Sequence, residues 1–198
     1  MRTLLLITAA GALALSACNN PNETKGAATP AEQAATPNAN PAATIPTPQN
    51  EAAATDFVPK AADSDLFEIT AAKLAQTKSK NAAIKKFAAE MVKAHTKSTA
   101  ALKKAIADSG RSDLSTPTNL SPDMQAKVDD LANADPKDFD QKYIDGQIEA
   151  HQAALDVMQR YAQDGDAPAI KAFAAAAAPV VQQHLDMAKK VKDGLKSS

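Results

Sequence analysis

From Asp56 to the C-terminus, apolar residues return every three or four positions and nowhere alternate with polar ones as in a strand. That period of about 3.6 residues predicts helices throughout. Punctuation divides the stretch into four long ones. The first runs from near Pro59, a residue tolerated in a first turn, to about Lys78. The second takes Asn81 as its cap and stops before Gly110. Asp135-Pro136, a cap followed by a first-turn proline, opens the third, which ends before Gly165. The fourth starts at Asp166 and closes near Gly194. Short turns at Ser79-Lys80 and at Gly165 make each pair antiparallel. Between the pairs, residues 111–134 hold Pro117, Pro122 and a short helix from Asp123, a connection long enough to run the length of a bundle. The expected fold of residues 56–198 is therefore all-α: a ferritin-like four-helix bundle with a long crossover between helices two and three.

The stripes that should face the core are interrupted by polar residues. Helix two reads Ile84, Ala88, Met91, His95, Thr99, Leu102, Ile106. Helix three reads Ile144, Ile148, His151, Leu155, Met158, Ala162. Helix four reads Ile170, Phe173, Ala177, Val180, His184, Met187, Val191, Leu195. The three histidines of the chain thus fall mid-stripe, one on each of these helices. Helix one offers Val58, Ala61, Asp65, Glu68, Ala72 and Ala75, with two carboxylates among small residues. At about 1.5 Å of rise per residue, Glu68 lies about 17 Å and His95 about 21 Å from the turn between helices one and two. If helix three starts at that same end, His151 lies about 22 Å down and His184 about 17 Å.

Four polar side chains from four helices are therefore expected to meet within one turn. Imidazole and carboxylate in a bundle core suit one transition-metal ion, zinc or copper, with Glu68, His95, His151 and His184 as the candidate ligands and Asp65 nearby. Met91 and Met187 add thioether sulfur for copper(I), or simply fill gaps in the core. Other readings of the same residues are a hydrogen-bonded cluster that only specifies packing in a structural or stress-related lipoprotein, and a proton-linked or small-ligand site in the bundle core. A di-iron centre fails on count. It needs two Glu-x-x-His pairs, and the residues three before the histidines are Val92, Ile148 and Val181. Asp140, Tyr143 and Gln147 share a face leading to His151, as an access path or as caps for the helix start. No serine or cysteine stands beside a base as a nucleophile, so no catalytic residue is assigned.

The N-terminal part has a different pattern. Arg2 and an apolar run from Leu4 to Ala14 have the layout of a secretory signal, too short to span a bilayer. Leu15-Ser16-Ala17-Cys18 looks like a lipobox, which makes residues 1–17 a lipoprotein signal and Cys18 the acylated first residue of the mature chain. Several acyl chains on one residue anchor stably, so the membrane is an expected partner through that lipid. Asn19, where aspartate would resemble an inner-membrane retention signal, points to the outer membrane of the cell envelope, facing the periplasm. Residues 19–55 contain six of the twelve prolines, no aromatic residue and Ile45 as the only large aliphatic. Such a segment cannot offset its ordering entropy and is expected to be a disordered tether. Its coil would average roughly 35 Å and reach about 115 Å if drawn out.

Charge and cysteine content narrow the classes further. With 22 Lys and Arg against 23 Asp and Glu there is no basic excess, which argues against nucleic acid as a partner. Cys18 is the one cysteine, so no intrachain disulfide can form. Nothing in the sequence identifies a protein partner.

Phe87-Ala-Ala-Glu-Met91-Val-Lys-Ala-His95, Phe139-Asp140-x-x-Tyr143, His151, and His184 followed by Met187-Ala188 together resemble the bacterial family called domain of unknown function 4142, whose members are often titled outer membrane proteins. The resemblance spans roughly residues 56–190. It implies a ferritin-like fold in the cell envelope and no particular activity. The family pattern places Asp before the first histidine; Ala94 stands there in this chain, so no neighbouring carboxylate is expected to orient His95.

Overall fold

The computed structural model describes residues 52–196. The signal, Cys18 and the tether as far as Glu51 lie outside the described residues. The described chain is all-α. It forms α1 (Ala54–Lys78), α2 (Ala82–Asp108), α3 (Pro122–Ala132), α4 (Phe139–Asp164) and α5 (Pro168–Lys196), with no strand among the described residues.

Local chemistry sets most of the boundaries. Asn81 caps α2 through its side-chain oxygen, which accepts from the Ala83 and Ile84 amides at 2.8 and 3.3 Å. Ser121 caps α3 by accepting from the Met124 amide, and its own amide and hydroxyl donate to Asp63 of α1 at 2.9 and 2.6 Å. Gly165 follows the end of α4 in an extended conformation, and a Cβ there would lie 2.5 Å from the Tyr161 carbonyl, so the turn has room only for glycine.

Two boundaries differ from the sequence expectation. α1 starts at Ala54, five residues before Pro59, because its first amide donates to Asp166 Oδ1 at 2.9 Å and Ala52 accepts from the Asp166 amide at 3.0 Å. A residue 112 positions away supplies that cap. Asp135-Pro136 does not open the third long helix. It makes a separate turn in which the Asp135 carbonyl accepts from Asp138 and Phe139, and α4 proper begins at Phe139, driven into the core at 1% exposure. α5 runs through Gly194 to Lys196.

α1 packs against α2 and α4, α5 packs against the same two helices, and α3 lies on α1. Two apolar clusters fill the interior. One gathers Ala54, Phe57, Leu102, Tyr161 and Ile170, from the start of α1, the end of α2, and the α4–α5 junction. The other gathers Ala75, Ile84, Phe139, Ile144 and Ala188, from the α1–α2 junction, the start of α4 and the end of α5. The end of α2 and the start of α4 therefore lie at opposite ends, and residues 109–138 travel between them. Leu114 packs on the first cluster, Leu120 and Met124 on the second.

On each of the four long helices the apolar positions are split by buried polar ones: Asp65 and Glu68 on α1, His95 on α2, Gln147 and His151 on α4, His184 on α5. The buried face of α5 carries Ile170, Ala174, Val181, His184, Leu185 and Ala188, while Val180, expected inside, is 43% exposed. The phase is off by one residue between Phe173 and His184 because the intervening Ala174 to Ala178 are identical and give a periodicity nothing to lock onto.

Candidate metal centre

The rings of His95, His151 and His184 form an equilateral triangle, each pair of centroids 5.5 Å apart. One ring nitrogen from each lies within 4.8 Å of the others, and all three residues are buried. Nitrogens bound to one tetrahedral or trigonal ion at about 2.0–2.1 Å stand about 3.3–3.6 Å apart, so an ion would draw each ring inward by at most about 0.7 Å. The helices that carry them are the three that the sequence identifies, and the three stripes do converge at one level.

Each ring is held differently. His95 Nδ1 lies 2.8 Å from Asp65 Oδ1, and Thr99, one turn further along α2, donates to Asp65 Oδ2 at 3.1 Å. A carboxylate thus does orient His95. It comes from α1 across the helix interface, not from position 94. His151 Nδ1 donates to the Gln147 carbonyl at 2.8 Å, one turn back on its own helix. These contacts leave His95 Nε2 and His151 Nε2 buried with no protein partner, and His184 Nδ1 is likewise buried and unpaired. A carboxylate or carbonyl behind an imidazole, with the opposite nitrogen free, is the arrangement that surrounds histidine ligands of metals.

Glu68 is 1% exposed and stands beside this triangle rather than within it. Its Oε1 is 3.5 Å from His151 Nδ1, the nitrogen already committed to Gln147. Burial pushes its carboxyl up to about 7, against the opposing pull of His95 and the Gln147 side chain. Burial also pulls His151 down to about 3 and His184 down to about 4, with His95 charge adding to both. His95 moves the other way. Burial lowers it, but the Asp65 hydrogen bond and the charges of Glu68 and Asp65 outweigh that and raise it. Two of the three imidazoles are therefore held in the neutral, lone-pair form that a metal requires.

The remaining candidates fall around the centre. Met91 is fully buried and Met187 half-buried in the apolar cluster toward the α1–α2 junction. Tyr143 and Gln147 are buried beside Glu68, the Gln147 side chain close enough to hold the carboxylate form and the Tyr143 hydroxyl unpaired, and one oxygen of Asp140 is buried without a partner. Burial strongly raises the Tyr143 phenol, with Glu68 adding to the shift. The orienting roles of Asp65, Thr99 and the Gln147 carbonyl are not assigned in the sequence. Asp65 was visible there as a carboxylate on the α1 stripe, but its partner depends on how α1 and α2 meet.

The fold and the site define an all-α protein with a buried three-histidine centre. The chain belongs to the family described as Domain of unknown function (DUF4142), whose profile matches residues 39–191. No curated protein and no solved structure matches it.

Proposed function

We propose that this protein is an envelope lipoprotein of ferritin-like topology that holds one transition-metal ion, zinc or copper, between His95, His151 and His184. The observation that carries the reading is the set of three buried histidines, each with a ring nitrogen that lacks a protein partner, meeting at one point. A cluster built only for packing would pair its buried polar atoms, since each one left alone costs about 1–3 kcal/mol. The ion removes that cost at three atoms together. Neutral imidazoles suit zinc and copper, and no thiolate is available to select a softer site. Glu68 serves beside the ligands as a carboxyl that can offset the charge of the ion. No helix among the described residues is long and apolar enough to cross a membrane. Attachment in this reading rests on the lipid at Cys18, with the outer membrane as its location and the periplasm as the side it faces.

The test is the melting temperature of chelator-treated, tagless protein. Zinc or copper at 100 times its dissociation constant should stabilise the native state by about 2.7 kcal/mol, several degrees for a domain of this size. His151→Ala should lose that gain. No shift in the wild type at pH 7.5 would remove metal binding and leave the packing cluster.

A further inference from the structure

The solvent face of α2 carries charge of one sign. The helix holds six lysines against Glu90 and Asp108, while α3 and α4 together hold eight acidic residues against three basic ones. α2 and α4 each pack on α1 and α5, so they stand diagonally across the bundle, and α3 lies on α1 and α4. A chain with a net charge of only -1 is therefore polarised, basic on one flank and acidic on the opposite one.

The lysines are aligned as well as numerous. At about 100° per residue, Lys86, Lys93, Lys97 and Lys104 fall within about 40° of one another around the helix, in a line about 27 Å long. That line lies opposite the buried positions Ile84, Met91, His95 and Leu102. Lys85 and Lys103 stand on one shoulder, and all six side chains are exposed. Lys104 pairs with Asp108 at 2.6 Å. The other five make no ion pair or hydrogen bond among the described residues. Between them the exposed positions are small, Ala82, Ala89, Thr96 and Ala100, with Glu90 at the edge. No aromatic residue, arginine or large aliphatic is exposed on this helix.

That composition selects the partner. Protein interfaces centre on aromatic or arginine anchors, and single-stranded nucleic acid is held by stacking on aromatics; this face has neither. Ammonium groups on flexible stems suit many shifting phosphates better than one fixed carboxylate. We propose that the α2 face docks on the anionic headgroups of a phospholipid membrane. The choice of a membrane rests on the anchoring at Cys18 proposed above. A coil averaging about 35 Å keeps the domain close to the surface, where a weak contact suffices. The bundle then lies flat, with α2 against the headgroups and the acidic flank of α3 and α4 turned away.

Sedimentation with vesicles tests this on the chain without residues 1–18, so that neither signal nor lipid contributes and every described residue is kept. Phosphatidylcholine vesicles are compared with vesicles of phosphatidylcholine mixed two to one with phosphatidylglycerol. Binding should appear only with the anionic lipid and vanish in about 1 M salt, where charges are screened beyond about 3 Å. Each lysine at such a surface strengthens partition about fivefold, so Lys86→Gln, Lys93→Gln and Lys97→Gln together should weaken it on the order of 100-fold. Lys127→Gln, Lys137→Gln and Lys142→Gln together remove the same charge from the α3 and α4 side. They should leave partition within about threefold, since that side lies more than a screening length of about 10 Å from the surface. Both triple variants should melt with the wild type, because all six side chains are exposed. Equal binding to both vesicles, binding to neither, or equal loss in the two variants would overturn the proposal. Self-association at low salt that only the α2 variant abolishes, without vesicle binding, would overturn it too and give the face to the acidic flank of a second copy. None of these results bears on the lipid at Cys18, which acyl labelling reads separately.

Discussion

Asp65 decides how His95 behaves, and its effect can be separated from packing. Asp65→Asn keeps the shape and the contact at His95 Nδ1 but removes the charge that raises the ring. Metal affinity should fall about 10–100-fold, the usual effect of losing a carboxylate behind a histidine ligand. Isothermal titration of zinc would show it, and an unchanged constant would mean that Asp65 only packs. Glu68 makes a second residue-scale prediction. Its folded value of about 7 lies above the ordinary 4.5 of a free glutamate, so its contribution to stability is present below 4.5 and is lost as pH rises through 7. In metal-free protein, Glu68→Gln should therefore gain on the wild type across that window, by at most about 1.4 kcal/mol per pH unit. Parallel profiles in urea unfolding at pH 4.5, 6 and 7.5 would show that Glu68 ionises freely. The sequence exposed the identity of these residues but not their pairing. All three histidines and both carboxylates are legible as polar breaks in apolar stripes. That Asp65 backs His95, while Glu68 sits on the far nitrogen of His151, depends on helix rotations that no local pattern encodes.

Among the elements, α4 carries the most information. Gly146→Ala should stabilise the protein by about 0.5–1 kcal/mol, because it removes a helix-interior glycine whose added Cβ touches nothing. Gly165→Ala should do the opposite by about 1–3 kcal/mol, since its Cβ would overlap Tyr161 at 2.5–2.6 Å and force the turn apart. Thermal melts of the two variants should move in opposite directions from the wild type. Helix ends were legible where a cap is local, as at Asn81. They were not where the cap comes from elsewhere in the fold, as at Ala54, and the buried face of α5 was not legible across the uniform run Ala174 to Ala178. Asp135-Pro136 carries a helix-start signal that is local and still not the start of α4. The chain uses it to turn, so that Phe139 enters the core and Lys78 sits over its ring at 5.9 Å.

At the scale of the whole molecule, the crossover and the two apolar clusters bring histidines from three helices to one level, and the proposed lipid at Cys18 would hold that domain at a membrane. Cys18→Ser should abolish acyl labelling and leave precursor or a soluble form; labelling that persists in the variant would end the lipoprotein proposal. The central claim is that the three histidines bind one ion, and equilibrium dialysis of tagless protein against zinc tests it most directly. The account predicts one zinc per chain at pH 7.5 and none for His95→Ala or His151→Ala. It also predicts a specific pH response. Burial already keeps His151 and His184 neutral down to about 3 and 4, so near pH 6 an ion competes for a proton at His95 alone among its ligands. Affinity should weaken by about tenfold per unit as pH falls from 6.5 to 5.5, the slope of one proton and not of three. A stoichiometry near zero in the wild type at pH 7.5, or one ion per chain retained in both variants, would contradict the account.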